Sequence, residues 1–331
     1  MKKKIVVLGA GAWGTAVAQL LSENGHQVTL WCYEPEVAQA ITKDRCNERY
    51  LPEKKLHESI EAVSDLKAAF SNAQWVFEAV PVKFLRSVLQ ACVPFFSDQQ
   101  TWVALSKGIE NETVLLAGQV IDDVFKTKVK KVVVSGPSFA KDLSEKQITA
   151  VTVASEDKKS AQELQTMLAS SYFRPYVSDD VLGVQLGGAL KNVITLAIGM
   201  LDGAGYTDNT KAFLLTAGLK EMVTCAQALG GKEKTIYGFS GVGDLMLTSM
   251  GELSRNLAVG KRLGSGQSLE LVLKETGFIP EGINSVKSVH QLVQKNNLDL
   301  PILNGMHAVI FEKKSIKAFL DEVMARPLQE E

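Results

Sequence analysis

A lysine set inside an apolar helix is the residue of this chain with the clearest chemical potential. The stretch GGALKNVITLAIGML, residues 187 to 201, puts Leu190, Val193, Ile194, Leu196, Ala197, Ile198, Met200 and Leu201 on nearly every side of a helix. A helix that is apolar all round is buried, yet Lys191 and Asn192 lie within it. A buried lysine must be paired, neutralised or facing a wet cavity. The plain alternative is that Lys191 snorkels to the surface from the first turn. The chemical reading is a lysine of lowered pKa that exchanges a proton. A second cluster is GDLMLTSMGELSRN, residues 243 to 256. Ser254 is a good N-cap for a helix running through Asn256 to Leu263. Arg255 and Asn256 would then stand beside unsatisfied N–H groups at a helix start, which makes an anion site suited to phosphate. The plain alternative is a capped helix with an exposed arginine.

The third pattern is VVLGAGAWGTAVAQLL, residues 6 to 21, with Gly9, Gly11 and Gly14 in the spacing G-x-G-x-x-G. Lys2, Lys3 and Lys4 precede it, so a secretory signal competes with a nucleotide-binding turn. Three glycines weaken a helical signal segment, and no clear cleavage pattern follows. In the nucleotide reading Lys4 to Leu8 is a buried strand, Gly9 permits the turn, and Gly11 lets the backbone approach a pyrophosphate. Gly14 then lets the helix pack close to the strand. The helix Thr15 to Asn24 follows, capped by Gly25. A second strand, His26 to Trp31, comes on time.

These groups need a frame to hold them. The first half alternates strands with helices. Beyond the first two strands the candidates are residues 75–80, 101–105, 132–135, 149–154 and 173–177. Helices are expected at 35–44, 83–91 and 112–124, and a loop at 47–52. Strands separated by helices imply parallel pairing in a doubly wound sheet. Ligands of such a sheet bind at the carboxyl ends of the strands. Glu78 to Pro81, Ser106 to Gly108, and Gly136 to Ala140 all follow strands. Lys107 is therefore a candidate, against the alternative of an ordinary surface lysine. Pro137 suits the first turn of a helix, with the Ser138 hydroxyl turned to the same crevice. Near residue 182 the character changes to glycine-broken helical patterns. The expected domains are a dinucleotide-binding Rossmann domain, 1–182, and a helical substrate-binding and catalytic domain, 183–331, ending in a polar, frayed tail from Arg326.

Composition narrows the classes. The 331 residues carry a formal net charge of −1, which argues against general nucleic-acid binding. No apolar run of eighteen residues lacks polar or glycine breaks, so no transmembrane segment is expected. The four cysteines are scattered and read as reduced cytosolic thiols. The four histidines show no metal-ligand spacing, and no metal is expected.

Taken in order, GAGAWGTA at 9–16, SKG at 106–108, GPSFA at 136–140, GVQLGGALKNVITLAIGM at 183–200, GVGDLMLT at 241–248 and SRN at 254–256 resemble the NAD(P)-dependent glycerol-3-phosphate dehydrogenases of the bacterial, cytosolic, biosynthetic type. The resemblance runs over nearly the whole chain. It implies a Rossmann-type α/β domain followed by an all-α domain like that of 6-phosphogluconate dehydrogenase. It implies interconversion of dihydroxyacetone phosphate and sn-glycerol 3-phosphate with NAD or NADP. Lys191 matches the family's proton donor and acceptor, with Lys107 beside it in the catalytic set. Lys107, Gly136, Ser138, Lys191, Asn192, Asp244, Ser254, Arg255 and Asn256 match the substrate pocket. Gly9, Gly11, Ala12, Trp13, Gly14, Tyr33, Lys107, Ala140, Arg255, Ile279 and Glu281 match cofactor contacts. A cytoplasmic homodimer feeding phospholipid synthesis is further implied. Two lysines near one site would lower a pKa toward neutral. Ala12 stands where many relatives carry serine, and Tyr33 and Glu34 end the second strand where relatives vary. The choice between NAD and NADP thus stays open, with Lys43, Arg45 and Arg49 near enough to attract a phosphate. Other dehydrogenases of this architecture and a non-catalytic nicotinamide sensor are the rival readings; the buried lysine speaks against the sensor.

Overall fold

The β-branched run Lys4–Leu8 forms strand β1, buried from Ile5 onward. The computed structural model describes residues 2–276 and 280–327. The other strands in chain order are β2 (Gln27–Trp31), β3 (Cys46–Asn47), β4 (Leu51–Lys55), β5 (Ile60–Val63), β6 (Trp75–Glu78), β7 (Thr101–Ala104), β8 (Lys131–Ser135), β9 (Thr149–Ala154) and β10 (Phe173–Ser178). Eight of them make one sheet in the order β10, β9, β8, β7, β6, β1, β2, β5. The chain winds from β1 out to β5, then returns to β6 on the other side of β1. The strand order reverses there, and a crevice opens at the carboxyl ends of β1 and β6. In register, Leu8 lies beside Trp31 on one side and Glu78 on the other.

Helices cover both faces. Alternate residues of β1 point to opposite layers, as the two-residue strand period requires. Ile5 and Val7 pack with α1 (Ala12–Glu23) and α2 (Pro35–Asp44). Val6 and Leu8 pack, on the other face, with residues of the helices Val82–Cys92 and Ala117–Phe125. These two are α4 and α5, after the short α3 (Leu66–Ala69). The layer is completed by α6 (Ala140–Ser144) and α7 (Lys158–Leu168).

Several local expectations change. The pair β8 and β9 is antiparallel, not parallel. The connection between them, residues 136–148, holds the five-residue helix α6. The segment expected as a loop at 47–52 is the tip and second strand of a hairpin, β3 with β4. The helix expected from Glu112 begins at Ala117, because Glu112 and Val114 hold positive φ (70° and 61°) that no helix accommodates. Pro137 precedes its helix by three residues, since α6 starts at Ala140.

The chain forms two compact units. One comprises Met1–Lys107 with Leu115–Gln185, the other Gly108–Val114 with Leu186–Glu331. The second contains, besides most of α8 (Val181–Gly203), the helices α9 (Asp208–Ala228), α10 (Glu233–Ile236), α11 (Asp244–Met250), α12 (Arg255–Gly264), α13 (Leu269–Thr276), α14 (Glu281–Lys295), α15 (Pro301–Phe311) and α16 (Ile316–Met324). By length and composition α8 could cross a bilayer, but 89% of its apolar window is buried inside the protein. Two of its glycines admit neighbouring backbone. A Cβ at Gly187 would lie 2.5 Å from the Ser240 carbonyl oxygen, and one at Gly199 would lie 2.4 Å from that of Leu257. The first contact brings in the π-helical turn Phe239–Gly243 that leads into α11; the second brings in α12. Arg326, expected in a frayed tail, donates to Asp299 at 3.0 Å.

Glu221 of α9 shows what burial does to a carboxyl in this unit. Its two oxygens accept the Ile302 and Leu303 N–H groups, each at 2.8 Å, capping the first turn of α15. Burial nevertheless outweighs these bonds and pushes its pKa from 4.5 up to about 7. The folded state therefore holds the extra proton between those values. The stability tied to this group is fully present below 4.5 and is lost as pH rises through 7. Relative to Glu221→Gln, the wild type should lose up to about 3 kcal/mol across that window. Urea unfolding of both proteins over the pH series checks this; a difference that stays flat would contradict it.

Candidate active site

At the end of β1 the backbone makes the turn that the glycine spacing requires. Gly9 has φ +106°, and a Cβ there would lie 2.8 Å from the Ala79 carbonyl oxygen beyond β6. Gly14 lies so close to the turn that a Cβ would be 2.0 Å from the Gly9 oxygen. Gly11 differs: a Cβ there would meet nothing within 4 Å. It is the N-cap of α1 and supplies no side-chain cap, and the first turn carries no acidic residue. Bare N–H groups at the positive end of a twelve-residue helix thus face open space, which suits a pyrophosphate. Ala12 and Trp13 open that helix, half-buried, with Trp13 packed on the core beneath.

Beyond β2, Tyr33 is 75% exposed, its ring edge-on to Trp31 at 6.2 Å. Glu34 is the N-cap residue of α2, but its side chain makes no cap bond. Instead it accepts the Tyr50 hydroxyl at 2.7 Å and lies 3.7 Å from Arg49. Arg49 also reaches Glu36 at 3.5 Å and lies over the Tyr50 ring. Arg45 donates to the Ile60 carbonyl at 2.9 Å and to that of His57. Of the three cations expected to attract a phosphate, two are thus turned to protein acceptors.

The ends of β6, β7 and β8 gather the next groups. The Lys107 ammonium donates to the Gly136 carbonyl at 2.8 Å, and the Ser138 hydroxyl donates to the same oxygen at 2.9 Å. Gly136 has φ +151°, and a Cβ would lie 2.9 Å from the Val151 Cα. Ala140 begins α6 just after them. Glu78, at the end of β6, is fully buried. It accepts N–H bonds from Leu105 and Ser106 and lies 2.6 Å from the Ser106 hydroxyl. Burial pushes its pKa up to about 7 against the pull of those bonds. The sequence marked Glu78 only as a residue after a strand; its one signal was a carboxylate closing an otherwise apolar run.

In the helical unit Lys191 is buried in the third turn of α8, not snorkelling from the first. Its ammonium donates to Asp244 at 2.9 Å and to the Thr248 hydroxyl at 2.6 Å. The Thr248 hydroxyl in turn donates to the Asp244 carbonyl at 2.6 Å. The neighbour of Lys191 within this unit is therefore a carboxylate. It favours the charged ammonium, where a second lysine would favour the neutral amine. Thr248 was missed as a partner, because a threonine in an apolar helix carries no distinct signal. Asn192 accepts from Asn256 at 2.9 Å, and Asn256 accepts the Gly282 N–H at 2.9 Å. Ser254 caps α12 by accepting the Leu257 N–H at 3.2 Å. Arg255 is the exposed first residue of α12, and Glu281 is the first of α14. Ile279 lies outside the described residues. Among the described residues no three His, Cys, Asp or Glu side chains group as metal ligands.

The family profile for the NAD-dependent glycerol-3-phosphate dehydrogenase N-terminus matches residues 4–161, and that for the C-terminus matches residues 180–321. The chain belongs to the NAD-dependent glycerol-3-phosphate dehydrogenase family. It is 40% identical to glycerol-3-phosphate dehydrogenase (NAD(P)+) of Bacillus subtilis over 98% of this chain and 94% of that one. The same identity holds with the Lactiplantibacillus plantarum protein of that name, over 98% of each chain. The crystal structure of the Coxiella burnetii glycerol-3-phosphate dehydrogenase superposes with a TM-score of 0.94 at 32% identity, covering 98% of this chain and 99% of that one. A D-mandelate dehydrogenase, at 13% identity and TM-score 0.59, shares the fold alone. As a member of this family the protein is an NAD(P)-dependent dehydrogenase, and the open space at Gly11 fits a dinucleotide.

The second and third glycines of the turn separate fold from binding. Gly14→Ala should destabilise the protein by about 1–3 kcal/mol, as overpacking does. Gly11→Ala should leave stability within about 0.5 kcal/mol yet weaken NADH, because the methyl occupies the phosphate's space. Thermal unfolding and fluorescence titration with NADH check both, and unchanged affinity in Gly11→Ala would remove the pyrophosphate from that turn.

Proposed function

We propose that this chain interconverts dihydroxyacetone phosphate and sn-glycerol 3-phosphate with NAD or NADP. The observation that carries the reading is the buried Lys191–Asp244–Thr248 cluster. The nicotinamide, when bound, supplies the hydride for ketone reduction or accepts it in the reverse direction. The protein must then manage a proton and a developing negative charge on the substrate oxygen. Lys191, held as an ammonium by Asp244 and Thr248, stabilises that oxygen and delivers the proton. Asn192, kept in place by Asn256, orients the substrate beside it. Arg255 and the start of α12, capped by Ser254, take the phosphate; that remote grip fixes the reacting carbon. Lys107, Gly136 and Ser138 complete the substrate set. Gly9, Gly11, Ala12, Trp13, Gly14, Tyr33, Ala140, Ile279 and Glu281 serve the cofactor. In this reading the enzyme is a cytoplasmic homodimer that feeds glycerophospholipid synthesis, with residues 1–182 binding the dinucleotide and 183–331 the substrate. The family resemblance supports these last assignments.

Lys191→Ala should lower turnover of dihydroxyacetone phosphate by about 10²- to 10⁴-fold while NADH still binds. Lys191→Arg, which keeps a charge beside Asp244, serves as the folding control. Near-normal turnover in the alanine variant would defeat the assignment.

Cofactor choice turns on Glu34. A carboxylate after the second strand takes a ribose hydroxyl and repels a 2′-phosphate, but here Tyr50 and Arg49 engage it. Both cofactors should work, with kcat/KM values for NADH and NADPH within about a thousandfold, roughly 4 kcal/mol. Glu34→Gln should shift the ratio modestly toward NADPH. A larger NADH preference that collapses in the variant would instead make Glu34 a strict gate.

A further inference from the structure

The buried carboxyl of Glu78 has no part in the chemistry above, yet it joins two of the turns that carry it. We propose that Glu78 is a positioning residue: as a neutral carboxylic acid it donates to the Ser106 hydroxyl, Ser106 donates to the Val80 carbonyl, and this relay fixes the turn that presents Lys107. The proposal rests on the reading of Lys107 as a site residue.

The relay follows from counting protons. One carboxyl oxygen, Oε1, accepts the Leu105 N–H at 3.0 Å and the Ser106 N–H at 3.1 Å. The other, Oε2, accepts the Val80 N–H at 3.5 Å and lies 2.6 Å from the Ser106 Oγ. That same Oγ lies within hydrogen-bond distance of the Val80 carbonyl oxygen. A serine hydroxyl has a single proton to give. If it goes to an ionised Glu78, the Val80 oxygen faces a lone pair. If it goes to the Val80 carbonyl, the ionised Oε2 keeps only the long Val80 N–H bond and faces an Oγ lone pair across 2.6 Å. A proton on Oε2 satisfies all three oxygens at once, with Glu78 donating to Ser106 and Ser106 to Val80.

The surroundings favour that proton. Burial raises the carboxyl to about 7. The flanking strands set Leu8 and Ala104 beside it, neither of them charged. The helices over this face bring Lys83 and Arg86 from α4, and Asp122 and Asp123 from α5. Arg86 is paired with Asp123 at 2.6 Å, Asp122 with Lys131 at 2.5 Å, and Lys83 lies over the Phe84 ring. Lys107, on the turn itself, extends to the Gly136 carbonyl. The relay thus ties the segment after β6 to the segment after β7, immediately before Lys107.

The test uses the full chain with NADH and dihydroxyacetone phosphate. Glu78→Leu should lower kcat by about 10- to 100-fold, the scale of a small misplacement, while KM for NADH changes less than about threefold. Glu78→Gln, which donates to Ser106 and accepts the two N–H groups, should restore kcat to within about threefold of wild type. Added to Lys107→Ala, Glu78→Leu should cost less than about twofold more, because both act through one turn. The infrared difference spectrum of wild type minus Glu78→Gln at mildly acid pH should show the carbonyl band of a buried carboxylic acid, over the band that Glu221 gives to both proteins. Wild-type kcat in Glu78→Leu, additive losses in the double variant, or no such band would overturn the proposal. If Glu78→Leu does not fold, the Gln variant and the band decide: a Gln variant with under about a tenth of wild-type kcat overturns it. Wild-type turnover in Lys107→Ala would overturn the Lys107 reading and this proposal together, whereas a Lys107→Ala loss that Glu78→Leu does not share overturns the proposal alone.

Discussion

A positive charge in the middle of an apolar helix has to be answered, and much of the helical unit is arranged around that answer. Removing an ammonium from water is tolerable only when a carboxylate and hydrogen-bond partners replace the lost solvation. Asp244 and Thr248, one turn apart on α11, supply them. They arrive because Gly187 lets the turn before α11 touch the backbone of α8, and Gly199 does the same for α12 a few turns on. Side chains at either glycine would push those helices away. The ion pair, the asparagine pair and the helix start at Ser254 are thus all set by how closely bare backbone packs on one helix.

Three of the buried carboxyls among the described residues meet burial in different ways. Asp244 has a counter-ion. Glu221 caps a helix, and Glu78 joins two strand ends; both are pushed up to about 7. Backbone N–H groups alone do not compensate for lost water, whereas a neighbouring ammonium can. The difference also divides their uses. A paired charge is fit to steady an ammonium that hands on a proton, and an unpaired carboxyl near neutrality is fit to keep its own.

Some of this was legible in the sequence. The helix around Lys191 announces itself because its apolar residues fill every side, and the lysine stands out against them. The first turn announces itself through glycine spacing flanked by a strand and a helix, and Ser254 through its capping chemistry. What stays hidden is who answers whom. Asp244 lies 53 positions from Lys191, and nothing local ties the two. Glu78 reads as the end of a strand until its burial and its shared serine proton are seen. Direction is hidden as well: β8 and β9 have the composition of parallel neighbours, and nothing local in either strand announces that they run antiparallel. The edge strand β5 is four residues long and carries a glutamate, too brief for a period-two pattern to register.

The short segment Gly108–Val114 belongs to the helical unit although the sheet unit surrounds it in sequence. Glu112 makes that attachment concrete, its N–H bonded to the Gln291 side chain at 2.9 Å. The polypeptide consequently passes from one unit to the other at three places, residues 107–108, 114–115 and 185–186. No single cut separates the two. A fragment ending at Gln185 carries with it a segment of the helical unit, and a fragment beginning at Leu186 lacks a piece of its own. Genetic dissection of this enzyme into independently expressed halves is therefore blocked by connectivity, and a ribosome must have made well over half the chain before residues 108 to 114 can find the helices they pack against.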